Sequence, residues 1–348
     1  MPPVNILKFG VSSPADTTPV QELLKAGYDP SQIIGLIGKS EGNGCVNDFS
    51  RTLSAMAWEP FLPKDAVTVF SGGTEGVLSP HVTFLVEEHG GRGTGMLAAV
   101  GRTRKLEPRE VGTAAQAREV ARTVAGLVEK ELASSVNAVH LVVVKGPLLT
   151  DAKIQAIRDA GGATPPPTAD VHQSLGMSRY ASAVGVAVAL GEVPQDDLDS
   201  AVRSGAAWSA AASCTSGAEL EDCHVLILAS APEPGRLKAA STFMEDAIDG
   251  RAVVEALGEV NRDGGHVLQV FAKAEADPRG EIRGKRHTMN TDSDIQSTRH
   301  ARAAVGGLIA GLVGDTQIYV SGGAEGQGPP GGGSFCLIYE CPEAVPGG

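Results

Sequence analysis

The chain has 348 residues, of which 42% are hydrophobic and 20% charged, with a net charge of −12. That length asks for two or three cores rather than one, and the acidic balance argues against nucleic acid or an anionic membrane as partner. No apolar run reaches membrane-span length and the first ten residues lack a signal-peptide pattern. Five cysteines with no CxxC pair read as reduced thiols in the cytoplasm.

In chain order, the first predicted element is a helix over 15–25, capped by Asp16 or Thr17. A strand over 33–39 ends in Lys39. After the turn 41–44, Asn47 or Asp48 caps a helix that carries Arg51. Strands over 67–70 and 81–87 flank Ser71-Gly72-Gly73-Thr74-Glu75-Gly76. The basic stretch 102–105 marks a crossing into a second unit. There the spacing predicts a helix over 113–133, a strand over 140–145 ending in Lys145, a short helix over 151–160 and an extended proline loop over 164–168. A small-residue helix opening at Arg179 runs to 190, and 194–200 is an acidic turn and helix. Thr215-Ser216-Gly217-Ala218-Glu219 then precedes a strand over 224–230. The third part opens with helices over 238–248 and 252–260. A strand over 266–273 ends in Lys273, and a hairpin-like turn occupies 276–281. Next come a small-residue helix over 301–313, a strand over 318–320, Ser321-Gly322-Gly323-Ala324-Glu325-Gly326, an irregular loop over 328–333 and a strand over 334–340.

A repeat is visible in this order. Three times an apolar run ends in lysine, an arginine follows at the start of a helix-like segment, and a hydroxyl–x–Gly–x–Glu motif leads into a further strand. The lysines are Lys39, Lys145 and Lys273, and the hydroxyls are Ser71, Thr215 and Ser321. The arginines are Arg51, Arg179 and either Arg299 or Arg302, which lie about one helical turn apart. The chain therefore divides into units 1–104, 105–235 and 236–348, an α/β arrangement of three similar repeats. Serine and threonine need a base to become nucleophiles, and a lysine becomes one when burial and neighbouring cations lower its pKa. Backbone N–H groups at Gly72, Ser216 and Gly322 are candidate oxyanion donors. Glu75, Glu219 and Glu325 are expected to hold the turns or to pair a lysine or arginine. The cysteines read as small buried hydrophobes, with Cys214 the one candidate nucleophile among them. The eight histidines show no HxH or HExxH spacing, so no catalytic zinc is expected.

Over almost its whole length the sequence resembles the cyanuric acid hydrolase/barbiturase family of ring-opening amidohydrolases. The resemblance rests on the stretches over 38–48 and 71–81, on 271–276 with 286–289, and on 321–329. It implies pseudo-threefold symmetry around a central active site, a homotetramer, and a small cyclic imide as substrate with no redox cofactor. Cyanuric acid is the first choice, barbituric acid the alternative, and a catalytically impaired imide-binding homologue the rival from another class. Carried over, the reacting pair is Lys145 with Thr215 or Ser216. Lys39, Arg51, Ser71, Gly72, Arg179, Lys273, Arg299, Arg302, Ser321 and Gly322 would bind the ring. The family pattern has serine where this chain has Thr215, so three versions stay open: Thr215 attacks, Ser216 takes over, or catalysis is weakened. The resemblance also implies a structural Mg²⁺ or Ca²⁺ held by Glu275 and by the loop residues Ala324, Gln327, Gly328, Pro329 and Gly332.

Overall fold

The computed structural model describes residues 3–44, 47–89, 93–132, 138–160 and 165–342. Each third of the chain builds one four-stranded sheet with its helices. The first comprises β1 (Val4–Gly10), α1 (Pro19–Lys25), β2 (Ile33–Ser40), α2 (Phe49–Trp58), β3 (Val67–Gly72) and β4 (His81–Glu87). The second comprises β5 (Met96–Arg102), α3 (Ala114–Leu127), β6 (Val139–Pro147), α4 (Asp151–Asp159), α5 (Val171–Ala189), α6 (Leu198–Ser204), β7 (Ala212–Gly217) and β8 (His224–Ser230). The third comprises β9 (Leu237–Met244), α7 (Gly250–Arg262), β10 (His266–Ala274), the small hairpin β11 (Glu281–Ile282) and β12 (Lys285–Arg286), α8 (Ser297–Val313), β13 (Tyr319–Gly322) and β14 (Gly333–Glu340).

The three sheets share one topology: β1-β4-β2-β3, β5-β8-β6-β7 and β9-β14-β10-β13. In each, the lysine strand runs parallel to the hydroxyl strand and antiparallel to the strand after it. The lysine strand is also bulged at the same place, at Ile34, His140 and Leu268. This third repeated feature, invisible as a residue motif, twists the three sheets alike.

The strands are apolar on both faces because both are covered. One face of every sheet enters a shared centre, where Ile37, Val69 and Leu85 meet Val143, Leu226 and Leu228 and, from the third unit, Phe271 and Ile338. The other face of each sheet is closed by its own helices. In the first unit Trp58 of α2 packs edge-on against Phe84 at 5.4 Å. In the second, Val120 and Val124 of α3 and Val186 of α5 cover Val144 and Val225. In the third, Val253 and Val260 of α7 and Ile309 of α8 cover Val270 and Val320.

Several expectations need correction. The helix expected over 238–248 is the strand β9, because its residues pair in register with all of β14. The boundary expected at 104/105 leaves β5 in the first unit, but β5 pairs along its whole length with β8 in the second sheet. The helix at 15–25 starts only at Pro19, which takes the first turn, while Asp16 caps a preceding turn by accepting from Ser12 and Thr18. Arg179 does not open its helix: Asp170 caps α5 and places Arg179 in mid-helix. The predicted helix over 113–133 is α3 capped by Thr113, then a π turn at Val128–Leu132. Cys45, Ala133 and Thr164 lie outside the described residues. Among those described, no helix is long and apolar enough to cross a membrane.

Candidate active site

Sheet register builds the site. Lys39 is the cross-strand partner of Ser71, Lys145 of Thr215 and Lys273 of Ser321, each pair at the carboxyl ends of two parallel strands. Ligands of open α/β sheets bind at such ends. Three arginines reach the same place from α2, α5 and α8. Arg51, Arg179, Arg302, Ser71, Gly72, Thr215, Ser321 and Gly322 line one small pocket, joined by Gly44 and Leu175. Gly44 and Leu175 had no repeat signal to give them away.

Arg302, not Arg299, is the third arginine. Its guanidinium is 3% exposed and grips Glu75 through Nε at 2.8 Å and Nη2 at 2.6 Å. Arg179 grips Glu325 in the same bidentate way, at 2.7 and 2.6 Å. Arg299 is 37% exposed and only adds one contact to Glu75, at 3.1 Å. Each clamp joins two units, the third to the first and the second to the third. Glycine makes them possible. A Cβ on Gly73, whose φ is +97°, would meet Glu75 Oε2 and Arg302 Nη2 at 2.6 Å. A Cβ on Gly323, φ +76°, would meet Arg179 Cζ at 2.5 Å. The glycine of the repeated motif therefore leaves room for the ion pair that forms over it.

The middle motif departs from this pattern. Glu219 Oε1 lies 2.5 Å from Lys145 Nζ. Arg51 donates to Ser216 O at 3.4 Å and has Asp48 Oδ2 3.8 Å from its Nε. Asp48, buried, also accepts from Gly44 N–H and caps α2 through Ser50 N–H. Thr215 faces the pocket, whereas the Ser216 hydroxyl turns away and donates to Leu175 O at 3.2 Å.

The outer two lysines touch their hydroxyls. Lys39 Nζ lies 3.3 Å from Ser71 Oγ and Lys273 Nζ lies 3.1 Å from Ser321 Oγ. Burial, then the charge of Arg302, drives Lys39 well below the ordinary lysine value. Burial, then Arg179, lowers Lys273 to about 7. A lysine depressed on folding binds fewer protons folded than unfolded, so stability rises with pH from the folded value up to about 10.4. Lys39→Met should therefore melt above the wild type near neutral pH, and the gap should narrow as pH approaches that of free lysine. A constant gap across thermal melts at several pH values would contradict this.

Backbone donors are present as well. Gly73 N–H and Gly323 N–H bond back to Ser40 O and Ala274 O. Gly72 and Gly322, one residue before them, line the pocket.

Cys214 is fully buried and its thiol is pushed up to about 12 by burial, so it is a core residue and no nucleophile. Cys223 and Cys336 are buried too. In the third-unit loop the Gln327 side chain is committed: its Oε1 accepts from Cys214 N–H and its Nε2 donates to Gly323 O at 3.1 Å. Glu275 accepts only Gly331 N–H, at 3.1 Å, and burial followed by the charge of Glu325 lifts its carboxyl to about 7. Among the described residues no group of three or more His, Cys, Asp or Glu could hold a metal.

A profile of the family described as amidohydrolase ring-opening protein matches residues 5–340. A cyanuric acid amidohydrolase of Sarocladium sp. is 58% identical over 341 residues, covering 98% of this chain and 99% of that one. A crystal structure of cyanuric acid hydrolase from A. caulinodans superposes with a TM-score of 0.91 at 39% identity, over 98% of this chain and 99% of the other. A second solved structure, of a cyanuric acid hydrolase described as an evolutionary innovation by structural concatenation, gives 0.89 at 39% identity, over 98% and 100%.

Proposed function

Because the chain belongs to the ring-opening amidohydrolase family, hydrolases of cyclic amides, we propose that it opens cyanuric acid to carboxybiuret in the central pocket. One observation carries the choice of ring. Three hydroxyls and three arginines from equivalent positions line a single small cavity. Cyanuric acid offers three equivalent carbonyls and three N–H groups to such a lining. The arginines answer the negative charge on the ring oxygens, and the outer lysine–serine pairs hold the two carbonyls that do not react.

Chemistry is assigned to the middle unit. Thr215 Oγ1 bonds to a ring carbonyl carbon while its proton passes to the Lys145–Glu219 pair. The carbonyl electrons move onto oxygen, which the Ser216 N–H and the arginines stabilise. The ring C–N bond then breaks, and the leaving nitrogen takes the proton from the pair. That leaves a ring-opened carbamate ester on Thr215. Water gives a proton to the same pair as its oxygen bonds to the carbamate carbon; the C–Oγ1 bond then breaks, and Thr215 takes the proton back as carboxybiuret leaves. Ser216 is left out because its hydroxyl is held by Leu175 O.

The test is turnover of purified protein with cyanuric acid and, in parallel, barbituric acid, followed as loss of ring absorbance. Turnover of cyanuric acid supports the proposal. Turnover of barbiturate alone moves the substrate to the sister ring. Binding of either ring without turnover makes the chain an imide-binding homologue, with Thr215 the departure responsible.

A divalent cation belongs to the same reading. Glu275 is a half-buried carboxyl that accepts Gly331 N–H from the same loop, whose carbonyls at Ala324, Gln327 and Pro329 each accept an N–H. This oxygen set fits Mg²⁺ or Ca²⁺, with Gln327 contributing through its carbonyl and not through its committed amide. The remaining expected members, Gly328 and Gly332, would bring only backbone oxygens. The ion would neutralise Glu275 and stiffen the loop. Millimolar Mg²⁺ or Ca²⁺ should raise the melting temperature of the wild type by a few degrees (about 1 kcal/mol) and leave Glu275→Gln unmoved. Equal response of the two proteins would remove the site.

A further inference from the structure

The three carboxylates that close the repeated motifs do not do the same thing. Glu75 and Glu325 hold arginines from a neighbouring unit, while Glu219 holds the lysine of its own unit. We propose that Glu219 is the positioning residue of ring opening, fixing Lys145 opposite Thr215 and so making one of three near-equivalent centres the reacting one. This rests on the reading that Lys145 and Thr215 do the chemistry.

The difference is built into the backbone. Gly73 and Gly323 turn with positive φ; Glu75 lies over Gly73 as Glu219 lies over Gly217, but the turn hands Glu75, like Glu325, to an arginine on a helix of another unit. Gly217 stays in β7 without a positive φ. A Cβ there would meet Glu219 Oε2 at 2.2 Å and Cδ at 2.7 Å, so the carboxylate folds back over its own strand only because residue 217 is glycine. Folded back, it meets Lys145 on the neighbouring strand, whose cross-strand partner is Thr215. The ring order of the other two clamps would bring Arg51 to Glu219, but Arg51 donates to Ser216 O and lies beside Asp48.

The charged surroundings of the pair are defined. Lys145 comes from β6, Arg51 from α2, and Lys153 from α4, where it donates to Leu148 O and Leu220 O. His224 of β8 is the other cross-strand partner of Lys145 and is itself paired with Asp222 at 3.2 Å. Burial raises the Glu219 carboxyl, but Lys145 and then Arg51 outweigh it and hold it below the ordinary value. Glu219 Oε1, 2.5 Å from Lys145 Nζ, thus holds the lysine head group beside the strand that carries Thr215.

The test compares Glu219→Gln, Glu219→Asp, Glu75→Gln, Glu325→Gln and Lys145→Ala in the full chain. kcat and KM for cyanuric acid are measured across about pH 6 to 10, with thermal melts to confirm folding. Glu219→Gln should lose at least about 10-fold in kcat with KM within about 2-fold, and its kcat–pH profile should shift. Glu219→Asp should recover part of the loss. Glu75→Gln and Glu325→Gln should show the opposite split, with KM raised and kcat largely kept. Wild-type kcat and pH profile in Glu219→Gln, with Lys145→Ala inactive, would overturn the role of Glu219 alone. An active Lys145→Ala would instead overturn the reading beneath it.

Discussion

Lys145→Ala and Thr215→Ala should each lower kcat for ring opening by about 10³-fold or more, while Ser216→Ala stays within about 3-fold of the wild type. The contrast follows from where the hydroxyls point. Thr215 lines the pocket in register with Lys145, and the Ser216 hydroxyl is already committed to Leu175 O. Thr215→Ser should keep or improve turnover, since it removes a methyl that restricts the attacking rotamer. Single-turnover and steady-state rates on folded variants decide the matter. If Ser216→Ala were inactive and Thr215→Ala active, the attacking group would be Ser216. If Lys145→Ala kept its kcat while Lys273→Ala lost it, the reaction would belong to the third unit, where Lys273 and Ser321 are already 3.1 Å apart.

Arg302→Met should raise KM by about 10²-fold and cost about 3 kcal/mol of stability. The two effects have different origins. Stability falls because Glu75, 10% exposed, loses its bidentate partner and keeps only the more exposed Arg299 at 3.1 Å. KM rises because one of three cations facing the ring is gone. The double variant Arg302→Met/Glu75→Gln separates them: its melting temperature should return toward the wild type and its KM should not. A double variant that recovered both would make Arg302 a structural residue only.

The repeated order of lysine, arginine and hydroxyl was legible in the sequence, and it marks the cross-strand pairs of the candidate site. Lysine, arginine and hydroxyl recur in order because register, not chance, places Lys39 on Ser71, Lys145 on Thr215 and Lys273 on Ser321. What the letters could not show was which partner each side chain would choose. Arg299 fits the local pattern better than Arg302, but only Arg302 sits where Gly44, Gly73 and Gly322 leave space for its guanidinium. The division of labour among Glu75, Glu219 and Glu325 is equally hidden, since it depends on the turn at Gly217.

The strands that open each unit were the least legible elements. Met96-Leu-Ala-Ala-Val-Gly-Arg102 and Leu237-Lys-Ala-Ala-Ser-Thr-Phe-Met244 are alanine-rich, and alanine favours helix in isolation. Pairing with the strongly β-forming β8 and β14 overrides that preference. The same pairing moves the boundary of the second unit upstream of 104.

Each unit is closed by a seam that repeats as faithfully as the sheets. Glu88 N–H bonds to Pro3 O, Ala231 N–H to Gly95 O and Cys341 N–H to Arg236 O, so the end of each unit's last strand is tied to the start of its first strand. Each later opening strand follows the closing strand of the unit before, β5 after β4 and β9 after β8. A gene spliced to join residue 340 to residue 3 through a short linker, and opened instead in the link between β4 and β5, encodes the same three seams and the same two arginine clamps.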